Sequence, residues 1–118
     1  MGLPRAHRLK HWRDFQAVYT DGRAYRSRHL TLRLRFDAEA RWPARIGIAI
    51  SRKVSKKAVI RNRLKRRLRA ALHEFLPRLR AGAQLVFNVR ASAIECEYEH
   101  FLRELRQLLT QAEVLDGH

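Results

Sequence analysis

Leu30, Leu32, Leu34 and Phe36 alternate with Thr31, Arg33 and Arg35. This period of two predicts a half-buried strand over residues 30–36, with a short one before it near Tyr25. Residues 45–51 repeat the pattern with Ile46, Ile48 and Ile50 on one side. Gly47 and Ala49 leave the other side shallow, so another backbone or ligand can approach closely. Residues 84–90, QLVFNVR, predict a third main strand. Residues 37–44 hold Asp37, Trp42 and Pro43 and read as a hairpin connection.

Between the strands the period changes. Trp12, Phe15, Val18 and Tyr19 are helically spaced in residues 11–20, and Gly22 follows as a stop. Residues 58–76 give the strongest helix. At about 100° per residue, Ile60, Leu64, Leu68, Ala71, Leu72 and Phe75 share one face, and Asn62, Lys65, Arg66, Arg69 and His73 share the opposite one. Pro77 and Gly82 end it. A last helix is predicted over 97–113, with Phe101, Leu102, Leu105, Leu108, Leu109 and Ala112 on its apolar side. The element order gives an α+β fold, one small mixed sheet packed with helices. No repeat or low-complexity segment breaks the chain. One domain is expected over residues 1–118, with an ordered core of about 9–115 and loose ends beyond it.

Charge changes this picture. The 118 residues carry 26 Lys plus Arg against 11 Asp plus Glu, a net of +15. Residues 1–51 carry 11 basic and 4 acidic side chains, and residues 70–118 carry 5 and 7. Residues 52–69 carry 10 basic side chains and no acid. Two-thirds of the net charge therefore sits in 18 residues, inside a patterned element. A polyanionic partner is implied, nucleic acid before an anionic membrane.

The block runs SRKVSKKAVIRNRLKRRLR from Ser51 to Arg69. Arg52, Lys53, Lys56 and Lys57 form a basic loop leading out of a strand. The loop enters a helix N-terminus, where free N–H groups and the dipole favour phosphate. Asn62, Lys65, Arg66 and Arg69 follow on one face, flanked by Arg61 and Arg63. Arginine forks onto phosphate oxygens, and asparagine adds a directed bond. With no acid in the run, self-repulsion costs stability unless a partner neutralises it, so a merely solvated face is disfavoured. A membrane-surface helix is disfavoured because its apolar side is needed for the core.

Catalytic chemistry is absent from the pattern. Cys96 is alone, which excludes a disulfide framework and a multi-cysteine zinc site. It reads as a small, partly buried filler. His7, His11, His29, His73, His100 and His118 are scattered. Glu95, Glu97 and Glu99 lie near a helix start, where acids suit the dipole. No apolar run has the length of a membrane span or a signal peptide, so the cytoplasm is the expected compartment.

Arg61-Asn62-Arg63-Leu64-Lys65-Arg66, with Arg69 after it, resembles the RNR motif of the bacterial ribonuclease P protein component. Gly47 to Lys53, Asp14-Phe15 with Val18-Tyr19 and Gly22, and Gly82 with Leu85–Arg90 are similar to the rest of that family's pattern, in order. The resemblance implies a fold like domain 2 of ribosomal protein S5, with a left-handed strand–helix–strand crossover. It implies a protein subunit that assists removal of the 5′ leader of precursor tRNA. The RNA subunit would be the catalyst and would hold Mg²⁺, with no cofactor on the protein and no protein oligomer expected. Arg52, Lys53, Lys56, Lys57, Arg61, Asn62, Arg63, Lys65, Arg66 and Arg69 would contact that RNA. Phe15, Tyr19, Thr31 and Arg33 would line a cleft for the leader. Arg33 stands where many members carry an aromatic ring. A protein held only on ribosomal RNA fits the composition equally, but gives an aromatic cleft no purpose. A helix-turn-helix DNA binder wants two adjacent short helices, which the pattern lacks.

Overall fold

A computed structural model describes residues 3–116. The four strands are β1 (Arg23–Arg26), β2 (Leu30–Phe36), β3 (Arg45–Ala49) and β4 (Ala83–Val89), in the order β1-β2-β4-β3. The helices are α1 (Trp12–Asp21), α2 (Ala58–His73) and α3 (Tyr98–Gln111). Each predicted strand and helix is present within a few residues. β1–β2 and β2–β4 are antiparallel, and β3–β4 is parallel, joined through α2. The sheet is mixed and the fold is α+β. Among the described residues no helix is long and apolar enough to cross a membrane.

Alternation explains the two faces. Leu30, Leu32, Leu34, Ile46, Leu85 and Phe87 point to one side and form a core with α2 and α3. Leu64, Leu68, Leu72 and Phe75 of the α2 stretch are at most 1% exposed there. Burying each such side chain contributes about 1.5–3 kcal/mol. On the other side Val86 packs with Val18 and Phe15 of α1 and with Leu9.

Four expectations are corrected. Residues 37–44 are not a hairpin, because β4 lies between β2 and β3. The segment instead passes the start of β4, where Asp37 N–H donates to Gly82 O and Gly82 N–H donates to Trp42 O, both at 3.0 Å. Gly82 belongs to this crossing rather than to the end of α2. Its φ is +86°, and a Cβ there would collide with the Asp37 carbonyl. The N-terminal segment is not loose from residue 3 onward. Leu3 is buried, the Arg8 Nε–H donates to Leu3 O at 2.6 Å, and Arg8 pairs with Ile46 in a parallel bridge. The segment thus covers part of the open edge of β3. At the other end, Leu115 bridges Leu79 and the Asp116 carboxylate meets Arg80 Nε at 3.3 Å. Residues 1–2 and 117–118 lie outside the described residues. Finally, Trp12 is 70% exposed, so the buried stripe of α1 narrows to Phe15 and Val18.

Candidate nucleic-acid interface

The loop between β3 and α2 exposes Arg52, Lys53, Lys56 and Lys57. Its shape comes from short polar side chains. Ser51 Oγ accepts from Lys53 N–H, and Ser55 Oγ accepts from Lys57 N–H, each at 3.2 Å. Arg61 donates to Ser55 O at 2.8 Å, so it ties the loop to the first turn of α2. Lys57 caps the helix without a side-chain bond, and the first turn carries no acid. Cations at the positive end of a helix dipole cost about 0.3–1 kcal/mol each in the absence of an anion. The same arrangement attracts phosphate.

Along α2, Asn62, Arg63 and Arg66 are exposed, and Lys65 and Arg69 are half-buried. Leu64 and Leu68 between them are fully buried and anchor that face to the core. Arg67 is turned inward and donates to Cys96 O at 2.7 Å. The helix therefore turns Arg67 inward, uses Arg61 to hold the loop, and leaves Asn62, Arg63 and Arg66 outward.

A concave site of about 260 Å³ lies at the outer edge of β3. Phe15, Gly47, Ile46 and Ile48 line it, with Arg8, Lys10 and Arg69. The shallow face predicted at Gly47 is filled by Phe15. A Cβ on Gly47 would lie 2.5 Å from Phe15 Cε1 and 3.4 Å from Leu9 Cδ2. Arg8 fell in the segment expected to be loose, and Lys10 lay at the start of the ordered core but outside the basic block of residues 52–69. Their positive charge in an otherwise short polar run was the available signal.

The other cleft candidates divide. Tyr19, 41% exposed, accepts a hydrogen bond from Asn88 Nδ2 at 2.8 Å. The Arg33 guanidinium lies 5.3 Å from the Tyr19 ring centroid, a cation–π contact. Arg33 Nε and Asn88 Oδ1 are both buried without a partner. Thr31 is buried, and its hydroxyl accepts from Arg90 at 3.1 Å, so it offers structure rather than a free group. Phe15 thus joins Arg69 in one cavity, while Tyr19, Arg33 and Asn88 form a neighbouring cluster on the same side of the sheet.

Comparison with known proteins gives one consistent answer. A family model for ribonuclease P matches residues 3–113. The ribonuclease P protein component of Microcystis aeruginosa is 57% identical over 120 residues, covering 100% of both chains. That of Picosynechococcus is 55% identical, again covering 100% of both. The Staphylococcus aureus RNase P protein superposes with a TM-score of 0.82 at 25% identity, over 95% of this chain and 100% of that one. The Thermotoga maritima protein, solved in complex with 1-(4-fluorophenyl)-2-thiourea, gives 0.76 at 25% identity, over 88% and 98%. Motif, fold and full-length similarity agree, and the chain belongs to the ribonuclease P protein family.

Proposed function

We propose that this chain, as the protein component of ribonuclease P in tRNA 5′ processing, docks the outer face of α2 on the RNA subunit and holds the precursor's leader in the adjoining cleft. The observation that carries this reading is the position of Arg69. It ends the basic face of α2 and also lines the cavity that contains Phe15. Phosphates neutralised along Lys53, Arg61, Arg63, Lys65 and Arg66, with a hydrogen bond from Asn62, would thus lead continuously to a site that can take a nucleotide. Arg52, Lys56 and Lys57 extend the same field at the loop.

The cleft chemistry suits a single strand of varying sequence. Phe15 and Tyr19 offer ring faces, and stacking is worth about 1–3 kcal/mol per base without demanding an identity. Arg8, Lys10 and Arg69 supply phosphate contacts, Arg33 adds a cation beside Tyr19, and Thr31 braces Arg90 beneath. The protein's part is to position substrate and neutralise charge. The outer face of α2 carries no carboxylate that would hold Mg²⁺, and its cations repel one. In this reading the Mg²⁺ of the ribonucleoprotein and the hydrolytic groups are held by the RNA, and the basic face supplies neutralising charge beside them. The cytoplasm, where tRNA precursors are made in bacteria, is the compartment this reading requires.

Two substitutions separate the roles. Arg66→Ala should weaken assembly with ribonuclease P RNA and leave leader discrimination intact once the complex is saturated. Phe15→Ala should weaken binding of leader-bearing precursor by the holoenzyme without altering assembly. Equal effects of both substitutions on both measurements would refute the division.

A further inference from the structure

Three side chains far apart in sequence meet on the side of the sheet that packs α3. His29 lies in the β1–β2 turn, Cys96 follows the 3-10 turn Ala91–Glu95, and Glu104 is on α3. One ligand atom from each lies within 4.8 Å of the other two. Cys96 is 2% and Glu104 8% exposed. We propose that His29 Nε2, Cys96 Sγ and Glu104 Oε2 form a binding site for a borderline-soft divalent cation of the Zn²⁺ class.

The spacing is close to what such an ion needs. Tetrahedral ligands at about 2.0–2.3 Å from a metal lie roughly 3.3–3.8 Å from one another. His29 Nε2 and Glu104 Oε2 are already 3.8 Å apart. The sulfur, within 4.8 Å of the other two, closes the remainder by at most about 1–1.5 Å, within rotamer adjustment.

The supporting bonds point the right atoms inward. His29 Nδ1 is paired with Ser92 Oγ at 2.8 Å, which leaves Nε2 facing Glu104. Glu104 Oε1 accepts from the Ser27 hydroxyl and from His29 N–H, which leaves Oε2 facing His29. A histidine held by its second nitrogen and a carboxylate held by its second oxygen are what metal sites use to fix their ligands. A concave opening of about 570 Å³, also lined by Glu95 and His100, reaches all three residues. It provides a path in and a place for a fourth ligand, water or His100.

Charge sets the terms. On binding, the Cys96 thiol loses its proton to solvent, and thiolate plus carboxylate supply two negative charges. Arg28 and Arg103 line the opening and Arg67 sits on the Cys96 carbonyl; their charges favour the thiolate and carboxylate forms of the ligands but repel an incoming cation. A thiolate and an imidazole select Zn²⁺ or Co²⁺ over Mg²⁺, which demands octahedral oxygen ligands. The site is therefore distinct in its chemistry from a Mg²⁺ site. Its occupancy would clamp α3 to the β1–β2 turn.

The test is a Co²⁺ titration of the full-length, RNA-free protein, followed by absorption. The chain has one cysteine, so a thiolate-to-cobalt charge-transfer band can arise only from Cys96. We expect that band to saturate at one equivalent, to be abolished by Zn²⁺ and to persist in excess Mg²⁺. His29→Gln, which keeps the sulfur, should weaken Zn²⁺ affinity at least tenfold, and Zn²⁺ should raise the melting temperature of the wild type but not of Cys96→Ser. Absence of the charge-transfer band in the folded wild type would overturn the proposal, even if Cys96→Ser proved unable to fold. Wild-type Zn²⁺ affinity retained by His29→Gln would overturn it too, and would leave Glu104 as a purely structural lock on the turn.

Discussion

Replacing Gly47 by alanine puts a methyl group where the Phe15 ring lies. The new Cβ would sit 2.5 Å from Phe15 Cε1, whereas carbon atoms pack best at about 3.5–4.0 Å. The ring must withdraw by roughly 1 Å or more. Leu9 Cδ2, 3.4 Å from the same point, limits escape toward the N-terminal segment. Overpacking of this kind costs about 1–3 kcal/mol of stability. It also moves the aromatic wall of the cleft, where one lost base stack is worth about 1–3 kcal/mol. Chemical denaturation measures the first cost. The second is read as the ratio of holoenzyme affinities for leader-bearing precursor and for mature tRNA. That ratio should fall by a factor of roughly five to one hundred and fifty, with assembly unchanged. The diagnostic comparison is in a Phe15→Ala background. With the ring gone there is nothing to displace, so Gly47→Ala should become nearly neutral in both measurements. Additive effects of the two substitutions, or an unchanged ratio in the single mutant, would refute the placement of Phe15 as the cleft wall.

Two further outcomes follow from particular contacts. Arg67→Ala removes the bond to Cys96 O and should cost about 1–2 kcal/mol in denaturation while leaving RNA affinity within twofold, the reverse of Arg66→Ala. Equal RNA-binding losses for the two would contradict the separation of inward and outward arginines. In metal-free buffer, burial, and then the nearby Glu104 charge, push the Cys96 thiol from 9.0 to about 11. The folded state disfavours the thiolate, so this contribution to stability is complete below pH 9 and is lost as pH rises toward 11. Alkylation at pH 8 should be about a hundredfold slower in native than in unfolded protein from thiolate fraction alone, and equal rates would contradict a shifted thiol.

Local pattern and long-range convergence differed in legibility. The alternation from Leu30 to Phe36 and the apolar stripe from Leu64 to Phe75 carry their own periods, and both elements stand where those periods place them. The basic face of α2 follows from the same stripe, because burying Leu64 and Leu68 leaves Asn62, Arg63 and Arg66 outside. Strand order has no such local signal. Residues 37–44 contain turn formers, yet β4, synthesised some 40 residues later, inserts between the strands they join. Leu3 and Leu9 are isolated apolar residues with no period of their own, and only the folded sheet and α1 give them something to pack against. Trp12 matched the helical period but stays exposed. The meeting of His29 with Glu104, 75 residues away, depends on how α3 docks, which no spacing in the chain encodes.

The measurement that bears most directly on the account is 5′-leader cleavage of a precursor tRNA by bacterial ribonuclease P RNA at low Mg²⁺, with the protein, without it, and with the protein alone. Strong stimulation by the protein is expected, with no cleavage when the RNA is omitted. A folded protein that fails to stimulate an RNA competent at high Mg²⁺, or that cleaves the precursor unaided, would contradict it.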